Sequence, residues 1–94
     1  MTWRVIMQPE AKLELKHEAE TYGERLIDEV DAVREWLRKM PLRYQQWPTD
    51  PAYRRAVVND FPFIVFYRID EARRTVVIVA LAPTSKEPGY WRGR

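Results

Sequence analysis

Cysteine is absent from the 94-residue chain, and histidine occurs once, at His17. The first absence excludes a disulfide framework, a thiolate zinc site and a cysteine nucleophile, and it suits a reducing compartment. The second leaves no pair of imidazoles for a metal site or a proton relay. No apolar run reaches the roughly 18 residues a membrane span needs, and the N-terminus lacks a signal-peptide core. Internal repeats and low-complexity segments are also missing. These absences lead to the expectation of a cytoplasmic domain with no membrane association. What is present fits that class: 46% apolar, 32% charged and 13% aromatic residues in 11.3 kDa. Such a profile excludes a disordered tail and predicts a single domain over residues 1–94. A chain this short buries only roughly 60–65% of its unfolded surface, so its core must be used efficiently.

The net charge of +2 conceals an asymmetry. Residues 1–40 carry seven basic and nine acidic side chains, whereas residues 41–94 carry nine and five. Twelve of the 16 cations are arginine, whose planar fork suits bidentate contacts to phosphate or carboxylate. The basic half is a weak pointer to a polyanionic partner, because solvated arginines are common.

Residues 3–7 (WRVIM) are β-prone and stop before Pro9, which reads as a first strand. Pro9 and Glu10 open a helical region, proline and acid both being favoured in a first turn. From Leu15, apolar residues recur at 19, 22, 26, 30, 33, 37 and 40, a stripe about 80° wide on a helix surface. His17 lies off the stripe and reads as solvated. Pro41 ends the pattern. The interruption at Thr21-Tyr22-Gly23 allows two arrangements. One is a helical hairpin turning at Gly23; the other is a single helix about 46 Å long reaching a second copy of the chain in a domain swap.

Residues 41–53 form a proline-punctuated connection whose Tyr44, Trp47 and Tyr53 read as packing over the core edge, a stacking platform for bases being the sharper alternative. Three β runs follow at 54–58, 63–69 and 75–82. The last two are apolar without alternation, which requires both of their faces to be covered. Their short spacing predicts an antiparallel meander. The expected fold is therefore α+β, in the order β-α-(α)-β-β-β, with the helical hairpin, or the long swapped helix, packed on an antiparallel sheet. Arg54 and Arg55 point to opposite faces of their strand, and the one off the concave face is expected to pair with an acid such as Asp60 or Asp70. Tyr90 and Trp91 are expected to cap the sheet edge.

Three stretches together resemble the RelE/ParE family of bacterial toxin–antitoxin toxins: the opening strand ending in Pro9-Glu10-Ala11, residues 23–30 (GERLIDEV), and Arg54-Arg55 through residues 61–69 (FPFIVFYRI) to Pro88-Gly89-Tyr90-Trp91. The resemblance covers essentially the whole chain. It implies a helical hairpin on a curved sheet, growth inhibition and plasmid stabilisation, and neutralisation by a cognate antitoxin protein. RelE-like members cut mRNA in the ribosome, and ParE-like members poison DNA gyrase. For RelE-like chemistry the resemblance offers Arg55, Lys86 and Tyr90 as catalytic residues. Ile64 stands where relatives often carry arginine, and Pro83-Thr84-Ser85-Lys86 replaces a His-x-Arg-Arg pattern. This departure favours the ParE-like reading, inhibition by protein binding, with Arg54, Arg68, Trp91 and Arg92 as target- or antitoxin-binding residues and no cofactor or metal. A catalytically inactive relative acting as a binding protein is a third reading. The chain is also about seven residues shorter between its helices than relatives are, close to two helical turns. That loss preserves the phase of the stripe, and a short hinge favours a homodimer swapped through residues 1–22.

Overall fold

The computed structural model describes residues 2–85, 89–92 and 94. Its elements follow the sequence pattern closely. β1 (Arg4–Met7) is stopped by Pro9, which sits at the start of α1 (Pro9–Tyr22) where its missing N–H costs nothing. α2 (Glu24–Lys39) ends at Met40, immediately before Pro41. β2 (Arg54–Val57), β3 (Phe63–Asp70) and β4 (Thr75–Pro83) complete the order.

The helical region is broken, so the chain does not form the single 10–40 helix that the unbroken stripe also allowed. Gly23 adopts φ +81°, ψ −173°, a conformation essentially reserved for glycine. A Cβ there would meet no atom within 4 Å, so only backbone strain opposes a side chain. Gly23→Ala is expected to destabilise the fold by about 1–3 kcal/mol, read from denaturant midpoints. Relief of that strain by continuing α1 into α2 would show as a dimer in light scattering.

The strands form one sheet in the order β1-β4-β3-β2. β2, β3 and β4 make the expected antiparallel meander, whereas β1 joins β4 in parallel, from Arg4 opposite Thr75 to Met7 opposite Ile78. The sheet is therefore mixed. Two reversals between β2 and β4 leave those strands parallel to each other and hence to β1. The two helices are thus the crossover that parallel strands require, carried across the whole sheet.

Both faces of the central strands are covered, as their continuous apolar runs demanded. On the helix face, Leu26, Val30, Val33 and Leu37 of α2 and Ala11 of α1 pack against Val65, Tyr67, Val76 and Ile78. Ala11 continues the stripe one step upstream of Leu15, which is only half-buried. On the far face Trp47 and Trp91 lie buried over Phe66, Val77, Val79 and Ala82, with Tyr53 and Tyr90 at their margin. The aromatics of the connecting stretch therefore serve as packing. Tyr67 reaches through the helix-face core to donate a 2.6 Å hydrogen bond to the Pro41 carbonyl, pinning the end of α2 to the middle strand.

β4 carries a bulge. Phe66 faces Ala80 but Tyr67 faces Ile78, so Val79 is an extra residue and both Val79 and Ala80 turn to the far face. β1 ends alongside Ile78, whose carbonyl accepts from the Gln8 N–H at 2.9 Å. Beyond that point no strand among the described residues pairs with the outer edge of β4, and side chains take its place.

Candidate functional site

Glu14 of α1 fills this gap. Its Oε1 accepts from the Leu81 N–H at 3.2 Å and from an Arg94 guanidinium N–H at 2.9 Å, while its Oε2 accepts from the Tyr90 hydroxyl at 2.6 Å. Arg94 also donates to the Val79 carbonyl at 3.2 Å. One carboxylate thus joins the first helix, the bulged strand edge and the C-terminal segment. Burial, and then the hydrogen bond to Glu14, push the Tyr90 phenol well above its ordinary range. At neutral pH Tyr90 is a neutral hydroxyl whose proton is directed at Glu14.

The C-terminal segment turns at Gly89 (φ +103°), where a Cβ would stand 3.6 Å from the Trp47 ring. That turn delivers Trp91 onto Phe66, ring centroids 3.8 Å apart and nearly parallel. Trp47, Tyr53 and Tyr90 surround the indole edge-on or tilted, at 5.2, 6.5 and 5.4 Å. Trp91 is fully buried, so it packs the far face rather than its edge and presents no surface to a partner. Arg92 is half-exposed, 3.7 Å from an Asp50 carboxylate oxygen and over the Trp47 ring.

The sheet arginines divide as their alternation requires. Arg54 is committed internally: its guanidinium donates to the Tyr44 carbonyl at 2.7 Å. The acids expected to pair here are engaged elsewhere, Asp60 with Arg25 at 3.5 Å and Asp70 with Arg73 at 3.3 Å. Arg55, opposite Phe66 in the pairing register, lines a cavity of about 110 Å³ with Trp47, Ile64, Phe66 and Thr84. Its guanidinium has no ion pair or hydrogen bond among the described residues. Arg68 is half-buried two residues beyond Phe66, on the same face by strand alternation, and has no ion pair among them either. Tyr90 belongs to a different cavity, about 150 Å³, lined by Glu14, His17, Glu18, Leu81 and Pro83. Pro83 borders both cavities and is the one lining residue they share. Lys86 lies outside the described residues.

The arrangement does not gather Arg55 and Tyr90 into one pocket. It offers a half-buried cation against aromatic walls, suited to holding an anion, and a tyrosine locked into an internal network. Among the described residues no cluster of His, Asp or Glu could hold a metal ion, and no helix is long and apolar enough to cross a membrane. Glu14 escapes sequence reasoning because it lies on the charged side of α1 with no mark to separate it from its acidic neighbours.

The family model described as ParE toxin of type II toxin-antitoxin system, parDE, matches residues 5–88. A solved structure, the chromosomal ParDE TA system from P. aeruginosa, contains a similar chain. It superposes with a TM-score of 0.68 at 13% identity, covering 86% of this chain and 95% of that one. At that identity the likeness establishes the fold. No protein of curated function matches the sequence.

Proposed function

Because the chain belongs to the ParE toxin family of type II toxin–antitoxin systems, we propose that it inhibits growth by binding and blocking a large cytoplasmic target of the DNA gyrase kind, and that a cognate antitoxin protein neutralises it. The observation that carries the mechanism is the commitment of Tyr90 within the fold, its hydroxyl already donating to Glu14 at 2.6 Å. Cleaving RNA by 2′-hydroxyl attack needs a proton-handling group within reach of the cations that stabilise the phosphate. Inhibition by binding needs neither. Arg55 and Arg68, two far-face cations without ion pairs among the described residues, then supply anion contacts to the target.

Induced expression in a bacterial host tests this. DNA breaks with intact transcripts are expected, relieved by co-expression of the neighbouring reading frame. Arg55→Ala combined with Arg68→Ala should leave the fold intact and reduce inhibition by about tenfold or more, two charge-assisted contacts each contributing about 1.5–3 kcal/mol. Cleaved transcripts with intact DNA, abolished by Arg55→Ala alone, would instead mark a ribosome-dependent endoribonuclease. Harmless expression would mark an inactive relative.

A further inference from the structure

Three solvent-facing residues mark one flank of α2. Ala32, Trp36 and Met40 are spaced four apart, which sets them one above the other on a helix surface. Met40 closes the helix yet keeps its register, its N–H donating to the Trp36 carbonyl at 2.7 Å. Of the eight large apolar side chains exposed among the described residues, four gather here: Trp36 at 43%, Met40 at 53%, and Leu42 and Val57 at 60% each. Val57 meets Trp36 across a cavity of about 270 Å³, and Leu42 meets Met40 across one of about 390 Å³. A single exposed apolar side chain is ordinary, whereas four at one place mark a contact surface.

The flank is antisymmetric about Trp36. On one side of it the small Ala32 leaves the 270 Å³ cavity open between Val33, Tyr44 and Val57. On the other side Met40 projects into solvent. Each lies four residues from Trp36, about 6 Å along the helix. Charge follows the same reversal. The first eight residues of α2 carry four acids and one arginine, Arg25, which faces Asp60 at 3.5 Å. The second eight carry three cations and one acid. Arg43 extends that basic end, its N–H on the Met40 carbonyl at 3.1 Å and its guanidinium 3.8 Å over the Trp36 ring.

We propose that this flank docks a second copy of the chain about a two-fold axis through Trp36, with the two α2 helices antiparallel. Met40 of each copy then enters the cavity over Ala32 of the other. Asp28 and Glu29 of each copy meet Lys39 and Arg43 of the other, and the two indoles pack at the axis. The helix dipoles, running in opposite directions, favour the same arrangement. Self-complementarity selects this occupant. A two-fold contact must match one surface to its own reverse, and here both size and charge do so about the same residue. A parallel pairing would set acid on acid and cation on cation. A partner unrelated to the chain would require no such relation between the two halves of one helix. The contact uses neither the swapped residues 1–22 nor the toxin reading.

Sedimentation velocity on the full chain, made by cell-free synthesis, tests this. A reversible dimer is expected within the range of about 1 to 100 μM. Ala32→Arg fills the cavity and Met40→Asp removes the side chain that enters it. Each should raise the dissociation constant about tenfold or more while circular dichroism stays unchanged. Leu13→Asp, at an exposed apolar position on α1, should leave it unaltered. Orientation is read by reversing charge. One variant combines Asp28→Lys with Glu29→Lys, and another combines Lys39→Glu with Arg43→Glu. Each alone should stay monomeric where the wild type dimerises, and an equimolar mixture of the two should regain the dimer. Replacing the first variant in that mixture by Glu10→Lys with Glu20→Lys, which changes net charge equally on exposed positions of α1, should give no dimer. A wild-type monomer at the top concentration overturns the proposal. A dimer that survives both Ala32→Arg and Met40→Asp does so too, and assigns association to another surface or to exchange of residues 1–22. A charge-reversed mixture that stays monomeric, or one rescued equally by the α1 variant, also overturns it.

Discussion

Trp91→Ala is expected to lower stability by about 3–5 kcal/mol, the usual cost of emptying a buried aromatic site. The indole is fully buried, stacked on Phe66 and surrounded by Trp47, Tyr53 and Tyr90. Against a total of about 5–15 kcal/mol for a domain of this size, that loss brings the molecule close to unfolding at physiological temperature. Differential scanning calorimetry should show the melting point fall by at least about 12 °C. Trp91→Phe separates packing from polarity. It keeps a ring against Phe66 and removes an indole N–H that is buried with no hydrogen-bond partner among the described residues, so its cost should stay under about 2 kcal/mol. Equal losses for the two variants would show that the stack is not what holds the far face together.

The second large effect is expected for Glu14→Ala, about 2–4 kcal/mol. The substitution removes three hydrogen bonds to a carboxylate at once, the one from Arg94 also an ion pair, and leaves the Leu81 N–H at the bulged edge without its acceptor. Amide hydrogen exchange should accelerate in the C-terminal segment and at Leu81 while the amides shared by β2 and β3 stay protected. Burial and the Glu14 bond raise the Tyr90 phenol above its ordinary value of 10.0, which also sets the response to alkali. The folded state then holds the phenolic proton more tightly than the unfolded chain. The stabilisation is complete below about pH 10 and is lost as pH rises beyond it. Without Glu14, Tyr90 should ionise at lower pH and the alkaline fall in stability should become shallower, as an ultraviolet titration of the phenolates would record. An unchanged titration would place Tyr90 outside the influence of Glu14.

Much of the fold was legible because the relevant signals are local. Pro9 and Pro41 bracket the helical region, and Leu26, Val30, Val33 and Leu37 fall on one face of α2 whatever lies opposite. The unalternating runs of β3 and β4 correctly required cover on both sides, and the two core clusters provide it. Gly23 was ambiguous because an isolated glycine costs a helix only about 1 kcal/mol, too little to decide between a break and a continuation. The parallel placement of β1 was hidden for a different reason. Strand direction depends on how the helical pair crosses the sheet, and side-chain alternation does not encode it. The candidate site was partly visible. Opposite orientations for Arg54 and Arg55 follow from alternation alone, yet the fates of those side chains depend on a distant carbonyl and a distant cavity wall. Glu14 joins Leu81, Tyr90 and Arg94 across most of the chain, and nothing in the residues near it announces that role.

The pairing of the first strand with the last has a consequence for the birth of the molecule. During synthesis β1 emerges early but has no neighbour until β4 follows, because β3 and β4 are made last and β1 touches only β4. Until then the greasy side of α2 has no platform, and contacts so far apart in the chain are slow to close. The nascent polypeptide therefore exposes apolar surface until the last strand is made. The sheet is completed in one step, when the final strand slides between its two neighbours.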